Sequence, residues 1–275
     1  MPHVEVNGLS YYIEKDGNGG PAVVMLHGFT GSRSTWLSLI PYLWPDHRPI
    51  AIDLIGHGRS ASPASAERYA MDRVVDDLVE VVRSLGFERA VWMGYSLGGR
   101  TALQVAVRHP EAVSALILEG ASPGLETEQE RRDRIAADEK LAQLAERDME
   151  AFVDHWQSIS LWDSQKENLS EASKTALRQG RLAQRGVGMA NSLRGMGTGS
   201  QTWVGDRLAE IRVPVLLTAG SLDTKYCGIA REMAAVIPET TLRLIEGAGH
   251  CAHLERPAEF NAVVLEFLRE VRPRL

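Results

Sequence analysis

Six short apolar runs recur along the chain. They are "AVVMLHG" (Ala22 to Gly28), "PIAIDL" (Pro49 to Leu54), "AVWMGY" (Ala90 to Tyr95), "VSALILEG" (Val113 to Gly120), "VPVLLTAG" (Val213 to Gly220) and "TLRLIEGAG" (Thr240 to Gly249). Most lack polar alternation, as expected of parallel strands buried on both faces. Patterns of helical period lie between them, among them Met71 to Leu85, Gly98 to Arg108 and Pro257 to Arg269. Such alternation predicts an α/β fold with a mostly parallel, doubly wound sheet. "VEVNGLSYYIE" predicts an antiparallel hairpin turning at Asn7-Gly8. The rhythm stops from Ala121 to Ile211, where "EQERRDRIAADEKLAQLAERDMEAFVDHW" and its neighbours are rich in helix formers. Residues 121–211 are therefore expected to form a helical cap inserted between strands, with residues 1–120 and 212–275 making the core.

Composition narrows the setting without naming an activity. With 275 residues, 44% hydrophobic and 24% charged, the chain has the profile of an ordinary globular protein. A net charge of -6 gives no support for a nucleic-acid or membrane-surface partner. No apolar run reaches membrane-spanning length, and "MPHVEVNGLSYYIEKDG" lacks a signal-peptide core, so a cytoplasmic protein is expected. Cys227 and Cys251 form no CxxC motif and read as reduced thiols.

Candidate chemistry centres on "GYSLGGR" (Gly94 to Arg100). A G-x-S-x-G turn after an apolar strand and before a helix has the context of a nucleophile elbow, with Ser96 at its tip. Serine needs a histidine as base and a carboxylate to orient that histidine, expected in the order Ser, acid, His. "TAGSLDTKY" supplies Asp223 and "EGAGHCAHLERP" supplies His250; His253 competes as base but falls into the next structural segment. The backbone amides of Leu97 and Phe29 are the expected oxyanion donors. "DLIGHGRS" reads as a shaped glycine loop and matches no phosphate-binding pattern. Arg100 is the anomaly, a cation where a buried helix should begin. It reads either as a receptor for an anion, or as a side chain that snorkels or pairs with a cap carboxylate. In the cap, Arg178, Arg181 and Arg185 share a helical face, Arg134 precedes Asp138 by one turn, and Trp156 lies in "FVDHWQS". A solvated charged face is the plain reading of that cluster.

"LHGFTGS", "DLIGHGRS", "GYSLGG", "GSLD" and "GAGHCAHLERP" resemble the α/β-hydrolase superfamily over almost the whole chain. Serine at position 96 separates it from the dehalogenase and epoxide-hydrolase branches, which place aspartate there. "GYSLGGR", "EGASPGLETEQERRDRIAADEKLA", "FVDHW", "SLRGMGTGSQ" and "AGSLDTKY" more narrowly resemble the menaquinone-pathway synthases of 2-succinyl-6-hydroxy-2,4-cyclohexadiene-1-carboxylate. One departure is "GSQTWVGDRL", where that family more often follows the glutamine with proline. The resemblance implies a triad of Ser96, Asp223 and His250. It implies substrate-carboxylate arginines at Arg100, Arg134 and Arg181, the last contested by Arg178 and Arg185, and pocket residues Tyr95 and Trp156. The implied enzyme is a carbon–oxygen lyase that eliminates pyruvate from a small polycarboxylate, without metal or other cofactor, as a monomer or weak homo-oligomer. An ester or carbon–carbon hydrolase using the same triad is the first rival, and a non-catalytic ligand-binding protein the second.

Overall fold

A computed structural model of the chain describes residues 2–17 and 19–274. The apolar runs become β3 (Ala22–Leu26), β4 (Arg48–Ile52), β5 (Ala90–Tyr95), β6 (Val113–Glu119), β7 (Val215–Gly220) and β8 (Thr240–Ile245). They follow a hairpin of β1 (His3–Val6) and β2 (Leu9–Lys15). The sheet order is β1-β2-β4-β3-β5-β6-β7-β8, antiparallel where β2 meets β1 and β4 and parallel elsewhere. Asn7 (φ 49°) and Gly8 (φ 75°) take the left-handed conformations a two-residue hairpin turn requires.

The uninterrupted apolar character of the central strands follows from burial on both faces. Val24, Leu26 and Trp92 join a core cluster with α2 (Met71–Ser84) and α3 (Leu97–Arg108). Their neighbours Val23, Met25, Val91 and Met93 point the other way. There they pack with α1 (Ile40–Leu43) and α11 (Pro257–Val271).

Between β6 and β7 the chain is helical, through α4 (Glu128–Arg147), α5 (Met149–Ser158), α6 (Asp163–Asn168), α7 (Glu171–Leu182) and α8 (Gly186–Met196). Local chemistry fixes where these helices begin. Thr127 and Glu130 form a capping box at α4, Asp148 accepts the Ala151 amide at α5, and Ser170 accepts the Ser173 amide at α7. Phe152, Trp156, Met189 and Leu193 join the second core cluster, so the insertion is packed into the body of the protein. α9 (Thr224–Val236) follows β7, and the short α10 (Ala252–Glu255) precedes α11.

Several strands end short of their apolar runs, and at two of them the cause is local. β4 ends at Ile52 because Asp53 turns away to accept the amides of Arg33 (2.6 Å) and Arg59 (2.8 Å). β8 ends at Ile245, after which Gly247 (φ 66°) bends the chain and donates its amide to Ser221 Oγ (2.9 Å).

Candidate active site

The turn between β5 and α3 presents Ser96 with φ 50° and ψ -109°, a conformation rarely tolerated by a residue with a side chain. Glycines make room for it. A Cβ at Gly94 would stand 2.2 Å from the Gly98 carbonyl carbon, and one at Gly98 would stand 2.2 Å from the Leu26 oxygen. The Ser96 amide donates to the Glu119 carbonyl (2.8 Å), tying the turn to the neighbouring strand.

Asp223 and His250 come from the ends of β7 and β8. Asp223 caps α9, its Oδ1 accepting the Tyr226 amide (3.2 Å). Its Oδ2 lies 2.7 Å from His250 Nδ1. One carboxylate thus caps a helix and orients an imidazole, and the helix terminus favours its negative charge. With Nδ1–H donating to Asp223, Nε2 is free to accept the Ser96 hydroxyl, 3.0 Å away. Tyr226, Tyr95 and Trp162 box the His250 ring at centroid distances of 4.5, 5.3 and 5.8 Å. His253 is spent elsewhere: its Nδ1–H and backbone amide both donate to the buried Glu119 carboxylate, at 2.8 and 3.0 Å.

Leu97 opens α3, so its amide has no intrahelical acceptor, and the Phe29 amide has no acceptor among the described residues. Both residues line the same cavity as Ser96. The Phe29 ring meets Trp156 edge-on at 5.3 Å and forms part of the cavity wall.

This cavity, about 310 Å³, is bounded by the elbow below and the helical insertion above. Arg100 enters it from α3 and is only 8% exposed. Its Nη1 donates to the Met196 carbonyl (2.9 Å) and to the Gln201 side-chain oxygen. Among the described residues no carboxylate pairs with it, so Arg100 neither snorkels nor forms an ion pair. Burial pushes its pKa down to about 10, with Arg134 adding repulsion, which leaves it charged at neutral pH. Arg134 Nε donates to Asp138 Oδ1 (2.8 Å), and both residues line the cavity. Asp138 Oδ2 is buried without a partner among the described residues, and burial raises this carboxyl above its ordinary range despite the guanidiniums.

The three contested arginines separate. Arg178 pairs with Asp154 and Glu150 on the outer face, and Arg185 donates to the carbonyls of Gly58 and Ser60. Arg181 is the buried one, 7% exposed, with no carboxylate partner among the described residues. Arg181 does not line the Ser96 cavity. Its guanidinium stands over the Trp162 ring (5.3 Å), and it lines two neighbouring cavities rather than this one. Trp162, which walls all three, fills the intervening space.

Tyr95 and Trp156 do line the Ser96 cavity. The Tyr95 hydroxyl lies 2.8 Å from the Cys251 thiol, and burial raises the pKa of both groups well above their ordinary values. That thiol is therefore a poor nucleophile. Sequence reasoning missed Trp162, Tyr226 and Lys225 as cavity residues. The last two follow Asp223 by three and two positions, a signal that was available. Among the described residues no three His, Cys, Asp or Glu side chains converge as metal ligands would.

A model of the alpha/beta hydrolase fold family matches residues 21–257. A Bacillus subtilis protein provisionally named 2-succinyl-6-hydroxy-2,4-cyclohexadiene-1-carboxylate synthase is 45% identical, over 96% of this chain and 97% of its own. The synthase of that name from Pectobacterium atrosepticum is 31% identical, over 90% and 94% respectively. The solved structure of MenH from S. aureus superposes with a TM-score of 0.90 at 34% identity, covering 95% of this chain and 98% of that one.

Proposed function

The chain belongs to the alpha/beta hydrolase fold family and, within it, to the 2-succinyl-6-hydroxy-2,4-cyclohexadiene-1-carboxylate synthases of menaquinone biosynthesis, and we propose that Ser96, His250 and Asp223 drive its pyruvate elimination. The substrate, 2-succinyl-5-enolpyruvyl-6-hydroxy-3-cyclohexene-1-carboxylate, carries an acidic ring proton α to the succinyl ketone. Ser96, its own proton passed to His250 Nε2, removes that proton. The electron pair moves through the ring double bond and expels enolpyruvate, which takes up a proton and becomes pyruvate; the ring keeps two conjugated double bonds. Asp223 holds the imidazole in the required tautomer and stabilises the imidazolium. The Phe29 and Leu97 amides receive the enolate oxygen, each contributing roughly 3–4 kcal/mol at comparable sites. No acyl-enzyme is formed.

The carrying observation is Arg100, a buried guanidinium with no carboxylate partner among the described residues, one helical turn from Ser96 in the same cavity. It fits a substrate carboxylate, as does Arg134, through charge-assisted, bidentate bonds. Arg181 would receive the third carboxylate once Trp162 turns aside, and Lys225 at the mouth would draw the polyanion in. The helical insertion, residues 121–211, acts as the cap that excludes water. Among the described residues no helix is long and apolar enough to cross a membrane. We place the enzyme in the cytoplasm as a monomer or weak homo-oligomer. The test is pyruvate release from the enolpyruvyl substrate by purified protein. Turnover abolished by Ser96→Ala supports the reading; ester hydrolysis with no pyruvate release overturns it.

A further inference from the structure

The loop carrying His250 is held by a carboxylate that the proposed mechanism does not use. Glu255, on α10, is buried. Its Oε2 accepts the Gly249 amide (2.9 Å), the residue immediately before His250. The same oxygen accepts Asn168 Nδ2 (2.7 Å), and Oε1 accepts Ser164 Oγ (3.1 Å), both from α6 of the helical insertion. Asn168 Nδ2 also donates to the Gly247 carbonyl (2.8 Å), and Asn168 Oδ1 accepts Arg256 Nη2 (3.0 Å). The approach is close enough that a Cβ at Gly249 would fall 1.9 Å from Ser164 Oγ. Trp162, at the start of the same segment, rests 5.8 Å from the His250 ring.

We propose that Glu255 is a positioning residue, a latch through which the seating of α6 sets the place of His250. Three donors converge on it: the Ser164 hydroxyl, the Asn168 amide and the Gly249 N–H. Only a carboxylate offers acceptors to all three without presenting a hydrogen of its own. When α6 lifts, two of those donors leave and the Gly249 anchor loosens, so the base is in register with Ser96 only while the insertion is seated. This rests on the reading of Ser96 and His250 as the working pair. It extends that reading by making triad competence depend on the cap.

A fluorophosphonate probe tests the idea independently of the natural substrate, because labelling of Ser96 needs His250 in place and needs no pyruvate chemistry. Glu255→Gln removes the charge that strengthens all three bonds and puts an amide nitrogen where one oxygen accepted. Asn168→Ala cuts the latch from the cap side and leaves Glu255 on Gly249. Each should slow labelling about tenfold and lower kcat for pyruvate release with KM little changed, as expected of lost transition-state positioning. The double variant should be no slower than the slower single, because both changes break one device. Labelling within about twofold of wild type in both singles overturns the proposal, as do fully multiplicative effects or slowing confined to Glu255→Gln. If Glu255→Gln does not fold, Ser164→Ala and Asn168→Ala carry the same test. Wild-type protein that labels normally but releases no pyruvate defeats the proposed reaction and leaves the latch standing.

Discussion

Replacing Arg100 with leucine removes a buried cation while keeping most of its bulk, and should separate function from stability. Burial holds this guanidinium at about 10, well below its ordinary value, equivalent to ~3 kcal/mol of destabilisation. Because the folded-state value is the lower one, that penalty is full at neutral pH and fades only as pH rises above about 10 toward the unfolded chain's higher value. Arg100→Leu relieves it but strips a donor from the Met196 carbonyl and the Gln201 oxygen, at about 1–3 kcal/mol each. The two effects oppose each other, so the melting temperature should move by no more than about 5 °C. Catalysis has no such compensation. Losing one partner of a desolvated charge pair costs about 2–5 kcal/mol, or roughly 30- to 5,000-fold in kcat/KM. Arg100→Lys should fall between, since a point charge cannot reproduce the two-pronged grip on a carboxylate. The assay is pyruvate release coupled to NADH oxidation, with fluorophosphonate labelling of Ser96 as a control for elbow integrity. A leucine variant that folds, labels normally and retains kcat/KM within about threefold of wild type would refute the carboxylate role.

The two histidines should fail in opposite ways. His250→Ala should lower kcat by at least about 10³-fold with melting little changed. His253→Ala takes the ring donor from the buried Glu119 carboxylate and leaves it the residue 253 amide, which at about 1–3 kcal/mol should lower the melting temperature by roughly 5 °C, and the reverse pattern would reassign the base. Asp138→Asn should stabilise the protein at pH 7, because burial has raised the carboxyl's folded-state value and so penalises its ionised form. That gain should shrink as pH falls toward 3.8, where the unfolded chain also takes up a proton, while KM rises as Arg134 loses its tether; calorimetry that finds no pH dependence counts against the account. Lys225→Glu should lower kcat/KM severalfold in dilute buffer, chiefly through KM, and the deficit should narrow at high salt; a salt-independent deficit would remove the steering role.

The backbone was more legible than the side chains, for a physical reason. Both-face burial leaves its mark on every residue of a central strand, so β3, β5 and β6 can be read from apolarity alone. The elbow shows as a compact motif, although only the need for Gly94 is local, against Gly98 and Gly99, while Gly98 is needed by the approach of Leu26 on β3. Asp223 and His250 could be found because a parallel sheet aligns its strand ends, which turns chain order into position. What failed to show was which face of a cap helix turns inward. Arg178, Arg181 and Arg185 have helical spacing, but only packing against α5 and the residue 58–60 loop draws off the first and last. The placement of Trp162 between Arg181 and the cavity depends on rotamers and on neighbours distant in sequence. So does the burial of Glu255, whose partners lie 87 and 91 positions away on α6 and whose sequence context marks no site.

The same three residues could drive hydrolysis or elimination, and the difference lies in what the cavity admits. An alkoxide at Ser96 beside the Phe29 and Leu97 amides can attack a carbonyl carbon and hold the tetrahedral oxyanion, or remove an adjacent proton and hold an enolate; the charge to be stabilised falls on the same oxygen either way. Attack on a ketone with no leaving group merely reverses, whereas loss of the α-proton from a substrate with an enolpyruvyl ether across the ring double bond runs on to an expelled anion. The array therefore need not be rebuilt to change reaction class; it needs a polyanionic ketone presented with its C–H toward Ser96. In the proposed reaction the Arg100 guanidinium would select such a ligand, because an uncharged ester would leave it buried without an ion-pair partner, which is discrimination by penalty as much as by attraction. This predicts an asymmetry. Neutralising Arg100 should damage turnover of the tricarboxylate far more than it damages background cleavage of a small neutral ester. Equal losses on both substrates would mean that Arg100 serves the elbow itself and that the cations do not choose the chemistry.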